Sequence, residues 1–286
     1  MKILLFGAKG QLGWELGRTC PAGINLTACG SPEIDLMDSN SIAACIQNNQ
    51  PEILINAAAY TAVDKAEQEQ EAADKLNHIA VRQISDICSA RNIHLIHIST
   101  DFIFNGMNHK PYLPQDKPDP VSTYGATKLK GELAIRAILG NNATIIRTAW
   151  LYSAHGNNFV KSMLKFMGTK PELNIIDEQI GTPTWANGLA LAIWNAIDKK
   201  LTGTHHFTDA GAASWYDFAI AIQEEALNLN LIQKEIPINP IPASQYPTPA
   251  RRPFYSILDK TSLWQALDIK PVHWRRQLRT MLKELK

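Results

Sequence analysis

The sequence predicts an α/β fold, a doubly wound parallel sheet carrying a smaller C-terminal lobe, on three observations. The segment Lys2-Ile3-Leu4-Leu5-Phe6 reads as a short strand and runs at once into the turn Gly7-Ala8-Lys9-Gly10-Gln11-Leu12-Gly13, followed by a helix-like Trp14-Glu15-Leu16. Strand and helix patterns then alternate through residue 150, the signature of a parallel sheet with crossover helices. Beyond 150 the alternation loosens. Residues 1–150 therefore read as a Rossmann-like dinucleotide-binding core, to which elements near 173–210 return. Residues 151–286 read mainly as a lobe folded over the strand ends, where a substrate would bind.

Each element has a local reason. In the spacing Gly-x-x-Gly-x-x-Gly, Gly7 permits a tight turn, Gly10 lets backbone approach a pyrophosphate, and Gly13 lets the helix pack on the strand. A glycine turn with no ligand is the competing reading. The second strand covers 24–29. An acidic residue for the adenosine ribose often follows in such folds, but Cys29-Gly30-Ser31 stands there, so NADH against NADPH is open and Asp35 is the candidate near the adenine. A helix at about 39–49 ends before Pro51. The strand from Ile53 runs to Ala57, Ala58 and Ala59, small enough for a cofactor to pass closely. A long polar helix follows from about 67 to 91 with Asn77 at its centre.

The strand from His94 ends on Ser99, Thr100 and Asp101, at the edge where parallel sheets bind ligands. His97 alternates with Leu95 and reads as packed in the sheet. Residues 105–120 form a Pro- and Asn-rich loop long enough to suggest function. Pro120, Ser122 and Thr123 then open a helix that sets Tyr124 and Lys128 one turn apart on one face. A phenol holds its proton to a pKa of about 10, so useful acid–base chemistry near neutrality asks for a shift of roughly 3 units, about 4 kcal/mol. A lysine cation and a cofactor charge are the natural source. Gly125 costs up to about 1 kcal/mol inside a helix and implies a close backbone approach. A strand at 143–147 delivers Trp150. The remaining elements are a helix at 158–168, a strand at 173–177, helix 187–198, strand 203–207, a capped helix from Ser214 to about 228, a Pro-dense segment 237–253, and an amphipathic helix at about 274–285.

Composition excludes whole classes of function. With 28 basic and 27 acidic residues the net charge is +1, which carries no footprint for nucleic acid or an anionic membrane. The four cysteines, Cys20, Cys29, Cys45 and Cys88, include no Cys-x-x-Cys pair and read as thiols of a reducing compartment, the cytoplasm. The apolar start breaks at Gly7, too short for a signal sequence, and no run is long enough to span a membrane. His205-His206 has no third ligand at metal spacing.

The glycine turn, Ser99-Thr100 ending a strand, and Tyr124 with Lys128 occur in the order of the extended short-chain dehydrogenase/reductase superfamily. Asn56 through Glu67, Ser99 through Gly106, Arg147 to Trp150 with Gly156 to Phe159, Gly181 to Thr184, and Tyr246 to Pro253 narrow the resemblance to its dTDP-4-dehydrorhamnose reductase family, over nearly the whole chain. The resemblance implies reduction of the 4-keto group of dTDP-4-dehydro-6-deoxy-L-mannose by NADPH or NADH. It casts Tyr124 as proton donor, Lys128 as the residue that binds the nicotinamide ribose and lowers the tyrosine pKa, and Thr100 as hydrogen-bonded to the carbonyl oxygen. Gly7, Gly10, Gln11, Leu12, Gly13, Asp35, Leu36, Ala57, Ala58 and Ala59 are the implied cofactor contacts; Asp101, Trp150, Asn158, Lys161 and Arg252 are the implied substrate contacts. Some members join subunits into a homodimer through Mg²⁺ held by glutamates. Glu15 matches one ligand, but Asn187 stands where a second glutamate is expected, which argues against the ion here. Phe102 replaces a usual tyrosine. A nucleotide-sugar epimerase of the same superfamily and a non-catalytic regulatory subunit of methionine adenosyltransferase are the alternative readings; a 4,6-dehydratase fits less well, because Asp101 is followed by Phe102.

Overall fold

Burial on both faces is what the central strands were built for. In the computed structural model, which describes residues 1–286, six strands form one parallel sheet. They are β1 (Lys2–Phe6), β2 (Asn25–Cys29), β3 (Ile53–Asn56), β4 (His94–Thr100), β5 (Ala143–Thr148) and β6 (Gly203–His206), in the spatial order β2-β1-β3-β4-β5-β6. Ile3 and Leu5 pack with Ile55, Ile96 and Ile146 on one face, while Leu4 and Phe6 pack with Leu54, Leu95 and Ile145 on the other. Helices cover both faces, as a parallel sheet requires. The first face takes α1 (Gln11–Arg18) and α6 (Ala186–Asp198); the second takes α2 (Ser39–Asn49), α3 (Ala80–Arg91) and α4 (Thr123–Leu139).

The strand order reverses between β1 and β3, which opens a crevice at their C-terminal ends. Above it lies a separate apolar cluster that includes Tyr152, Met163, Phe218, Trp274 and Leu278. It is built from α5 (Phe159–Thr169), α7 (Trp215–Asn228) and α8 (Trp274–Lys283). Strand Leu173–Ile176 pairs in parallel with Ile238–Ile241 here rather than joining the main sheet. No helix is long and apolar enough to cross a membrane.

Two elements depart from the expected pattern. The strand expected to reach Ala59 ends at Asn56, because Asn56 Oδ1 accepts from Ala58 N–H (3.1 Å) and draws the chain into a turn. The helix expected over 67–91 is a relay of Gln70–Asp74, a π-helical turn Lys75–Ile79, and α3. A turn of that kind carries an extra residue, and such turns cluster at functional sites.

Candidate active site

The C-terminal ends of β1, β3, β4 and β5 line a cleft of about 720 Å³. Its floor is the glycine turn. Gly7, at φ +89°, and Ala8 donate to Cys29 carbonyl at 3.0 and 3.1 Å, tying the turn to β2. A β-carbon at Gly7 would sit 2.7 Å from Ala58 N, and one at Gly13 would sit 2.0 Å from Gly7 O. Gly13 is thus a packing contact beneath the turn. Gly7, Gly10, Gln11 and Leu12 line the cleft itself, with Ala57, Ala58 and Ala59 opposite. Gly10 caps α1 without any side-chain hydrogen bond, so the first-turn N–H groups are open to an anion. Buried Ser99 Oγ and Thr148 Oγ1 also line the cleft and have no partner. An open helix end, small walls and unpaired hydroxyls are the donor set a nicotinamide dinucleotide fits. Asp35 and Leu36 lie outside this cleft: Asp35 Oδ1 accepts from Met37 N–H (2.8 Å) in an exposed turn, and Leu36 packs on the core.

α4 brings Tyr124 and Lys128 to the other side. Ser122 Oγ caps it, accepting from Gly125 N–H, and Glu67 accepts from the Thr123 N–H and hydroxyl at 2.8 and 2.9 Å. A β-carbon at Gly125 would lie 2.1 Å from Phe102 O and one at Gly131 2.3 Å from Asn77 O. The helix therefore sits closer to β4's end and to the π-turn than any side chain would allow. Asn77 joins the same contact, its amide accepting from Tyr60 N–H and donating to Tyr60 O and Thr127 Oγ1.

Tyr124 is half-buried, packed edge-on against Phe102 with ring centroids 5.6 Å apart. Burial pushes its phenol up to about 12, against the lowering pull of the Thr100 hydroxyl. The expectation that Lys128 lowers this pKa is not met in the free protein. Lys128 is 1% exposed, and its Nζ turns to Ile98 O (2.7 Å) and His97 Nε2 (3.2 Å). Burial brings Lys128 down to about 8. Thr100 Oγ1 donates to Asp101 Oδ1 at 3.0 Å, and Asp101, pushed up to about 6 by burial, keeps Oδ2 without a partner. In the sheet register Thr100 stands beside Thr148.

The aromatic wall was only half legible. Trp150, at φ +47°, lies over Gly181 and stacks face to face on Trp215, centroids 3.5 Å apart and planes 7° off parallel. In the sequence Trp215 marks only a helix start. Asn158 caps α5 and reaches across to Gln11 Oε1 (2.9 Å), bracing the glycine turn. Lys161 Nζ donates to Ala154 O, and Arg252 forms a two-pronged pair with Asp64 (3.0 and 2.7 Å). Neither lines the cleft. Glu15 is fully buried, and its oxygens accept from Arg18, Asn187 Nδ2 (3.0 Å) and Ser153 Oγ (2.9 Å), with Arg18 also reaching Glu284 at 3.1 Å. A carboxylate so saturated does not fit a Mg²⁺ ligand.

A model of the family described as RmlD substrate binding domain matches residues 1–286. The dTDP-4-dehydrorhamnose reductase of Escherichia coli (strain K12) is 37% identical over 298 residues that span 100% of this chain and 98% of the relative. The chain belongs to the dTDP-4-dehydrorhamnose reductase family. Two solved structures of such reductases superpose on it with a TM-score of 0.93. That from Clostridium acetobutylicum is 35% identical and covers 100% of this chain and 99% of its own. That from Bacillus anthracis, in complex with NADP, is 30% identical and covers 99% of each. Tyr124, Lys128 and Thr100 all line the cleft described above.

Proposed function

We propose that the protein reduces the C4 ketone of dTDP-4-dehydro-6-deoxy-L-mannose to dTDP-L-rhamnose, with NADPH as hydride source and Tyr124 as proton donor. The observation that carries the reading is the convergence of Tyr124, Lys128 and Thr100 on the cleft that holds the glycine turn, in a chain of this family. NADPH supplies the hydride when bound; the rest is the work of this chain. With its pKa raised, Tyr124 is fully protonated at neutral pH, the form a reduction needs. Protonated Lys128 stabilises the phenolate left after transfer. Thr100 swings its hydroxyl from Asp101 to the ketone oxygen, and the unpaired Asp101 Oδ2 accepts from a sugar hydroxyl. Trp150, backed by Trp215, is the apolar wall for the sugar ring.

Lys9 supports the phosphorylated cofactor. It lines the cleft, its Nζ donates to Ser31 O just past β2 and lies 3.7 Å from the Glu33 carboxylate, and it is a cation within reach of a 2′-phosphate there. The free cysteines suit a reducing cytoplasm. Mixing the pure protein with NADPH and the keto sugar, and following the absorbance of the reduced nicotinamide, tests the reading. Loss of absorbance with formation of the L-rhamnosyl nucleotide is expected. An isomerised sugar with unchanged NADPH points to an epimerase and refutes it.

A further inference from the structure

Lys128 is held by a buried array whose protons can be counted. Ala58 N–H donates to Asn56 Oδ1, which fixes that amide with Nδ2 facing His97 Nδ1 at 3.3 Å. Nδ1 must then accept. A neutral imidazole has one N–H, so it sits on Nε2 and points at Lys128 Nζ, 3.2 Å away. An ammonium has three donors and no lone pair, and would set hydrogen against hydrogen there. A neutral amine receives Nε2–H in its lone pair, donates one N–H to Ile98 O, and keeps one for the cleft.

The surroundings do not rescue the ammonium. His97 is fully buried, and burial with the lysine beside it holds its pKa well below the usual range, so it is not the group that charges. No carboxylate lies within ion-pair distance of Lys128 Nζ. On its own helix Glu132 is committed to Arg136 and to Arg147 of β5, and Tyr124 is a neutral phenol. Past β4, Asp101 is hydrogen-bonded to Thr100, and the side chain facing α4 from the π-turn, Asn77, is uncharged.

We infer that His97 is a positioning residue that favours the neutral amine of Lys128 in the free enzyme, and that the neutral fraction of Lys128 takes up a proton from solvent as NADPH enters the cleft. The physical drive is the negative charge that a dinucleotide brings to a site with no carboxylate paired to Lys128, together with the ribose hydroxyls it sets beside the amine. The inference rests on the cofactor assignment above. It makes complete protonation of the catalytically useful lysine a product of cofactor binding rather than a standing feature of the fold.

Calorimetric titration of the whole protein with NADPH at pH 8, in buffers of different ionisation enthalpy, reads the proton directly. Lys128 near half-protonation in the free protein gives an uptake of about half a proton per chain. His97→Gln, whose amide oxygen can face an ammonium, should bind NADPH with much less uptake, and Lys128→Met with none. Binding heats that are the same in every buffer overturn the inference while leaving the cofactor assignment standing; no binding heat at all overturns both. If His97→Gln does not fold, Lys128→Met alone decides, because uptake that survives it comes from another group.

Discussion

Lys128→Met is the sharpest test of the site's electrostatics. The wild-type amine is buried without a carboxylate partner, and its pKa stands at about 8. A fall from the ordinary lysine value of about 10.4 corresponds to about 3 kcal/mol spent on keeping the side chain buried at neutral pH. The sign follows from proton counts. The folded-state pKa is the lower one, so between about pH 8 and pH 10 the unfolded chain binds more protons, and wild-type stability rises through that window. The burden is full below pH 8. Methionine fills the space without charge but leaves Ile98 O and His97 Nε2 unpaired, which together return about 2 kcal/mol. The variant should therefore be more stable than wild type at pH 7 by about 1 kcal/mol, and less stable near pH 10 by about 2 kcal/mol. Urea unfolding followed through the seven tryptophans measures both. A variant that is less stable at pH 7, or a difference that does not change sign with pH, refutes the reasoning.

Tyr124→Phe should lower kcat by about 100-fold or more through loss of the proton donor, while NADPH still binds; unchanged turnover removes that role. Gly181→Ala puts a β-carbon 2.5 Å from the Trp150 ring, which cannot retreat because Trp215 backs it at 3.5 Å. A fall of about 10- to 100-fold in kcat/KM for the sugar, with NADPH affinity retained, is expected from a displaced wall. Asp64→Asn breaks the partly exposed pair with Arg252 and should cost at most about 1 kcal/mol. Arg252 holds the Asp64 carboxyl below the usual range, so that stability is present above about pH 4 and is lost as the pH falls through the lowered value, which closes the gap between variant and wild type in acid unfolding curves.

The core of the fold was readable because its signals are local. Lys2–Phe6 followed by three spaced glycines specifies strand, turn and helix within a dozen residues, and Tyr124 with Lys128 share a helix face by spacing alone. Contacts made across the fold were not readable. His97 alternates correctly for a buried position, but periodicity says nothing of which polar group it will meet, and that proved to be Lys128. Trp215 lies 65 residues from the tryptophan it stacks on, and Asp64 is joined to Arg252 only by the way the second lobe folds back. Lys161 and Arg252 stand in the sequence as substrate contacts because a charged residue carries no record there of the partner it meets in the fold.

The π-turn at Lys75–Ile79 limits how this helix can change. Removing one residue would restore a regular α-helical repeat there and leave α3 at nearly its present azimuth, because the wider turn already absorbs one extra residue, whereas removing two would turn everything downstream by about 100°. Ala80, Val81, Ile84 and Cys88, now pressed against the sheet, would swing toward water, while Arg82 and Asp86 would be driven inward. The widened turn is thus the place in this helix where a single deletion spares the buried face, and what such a deletion would disturb is the carbonyl of Asn77 against which Gly131 is pressed.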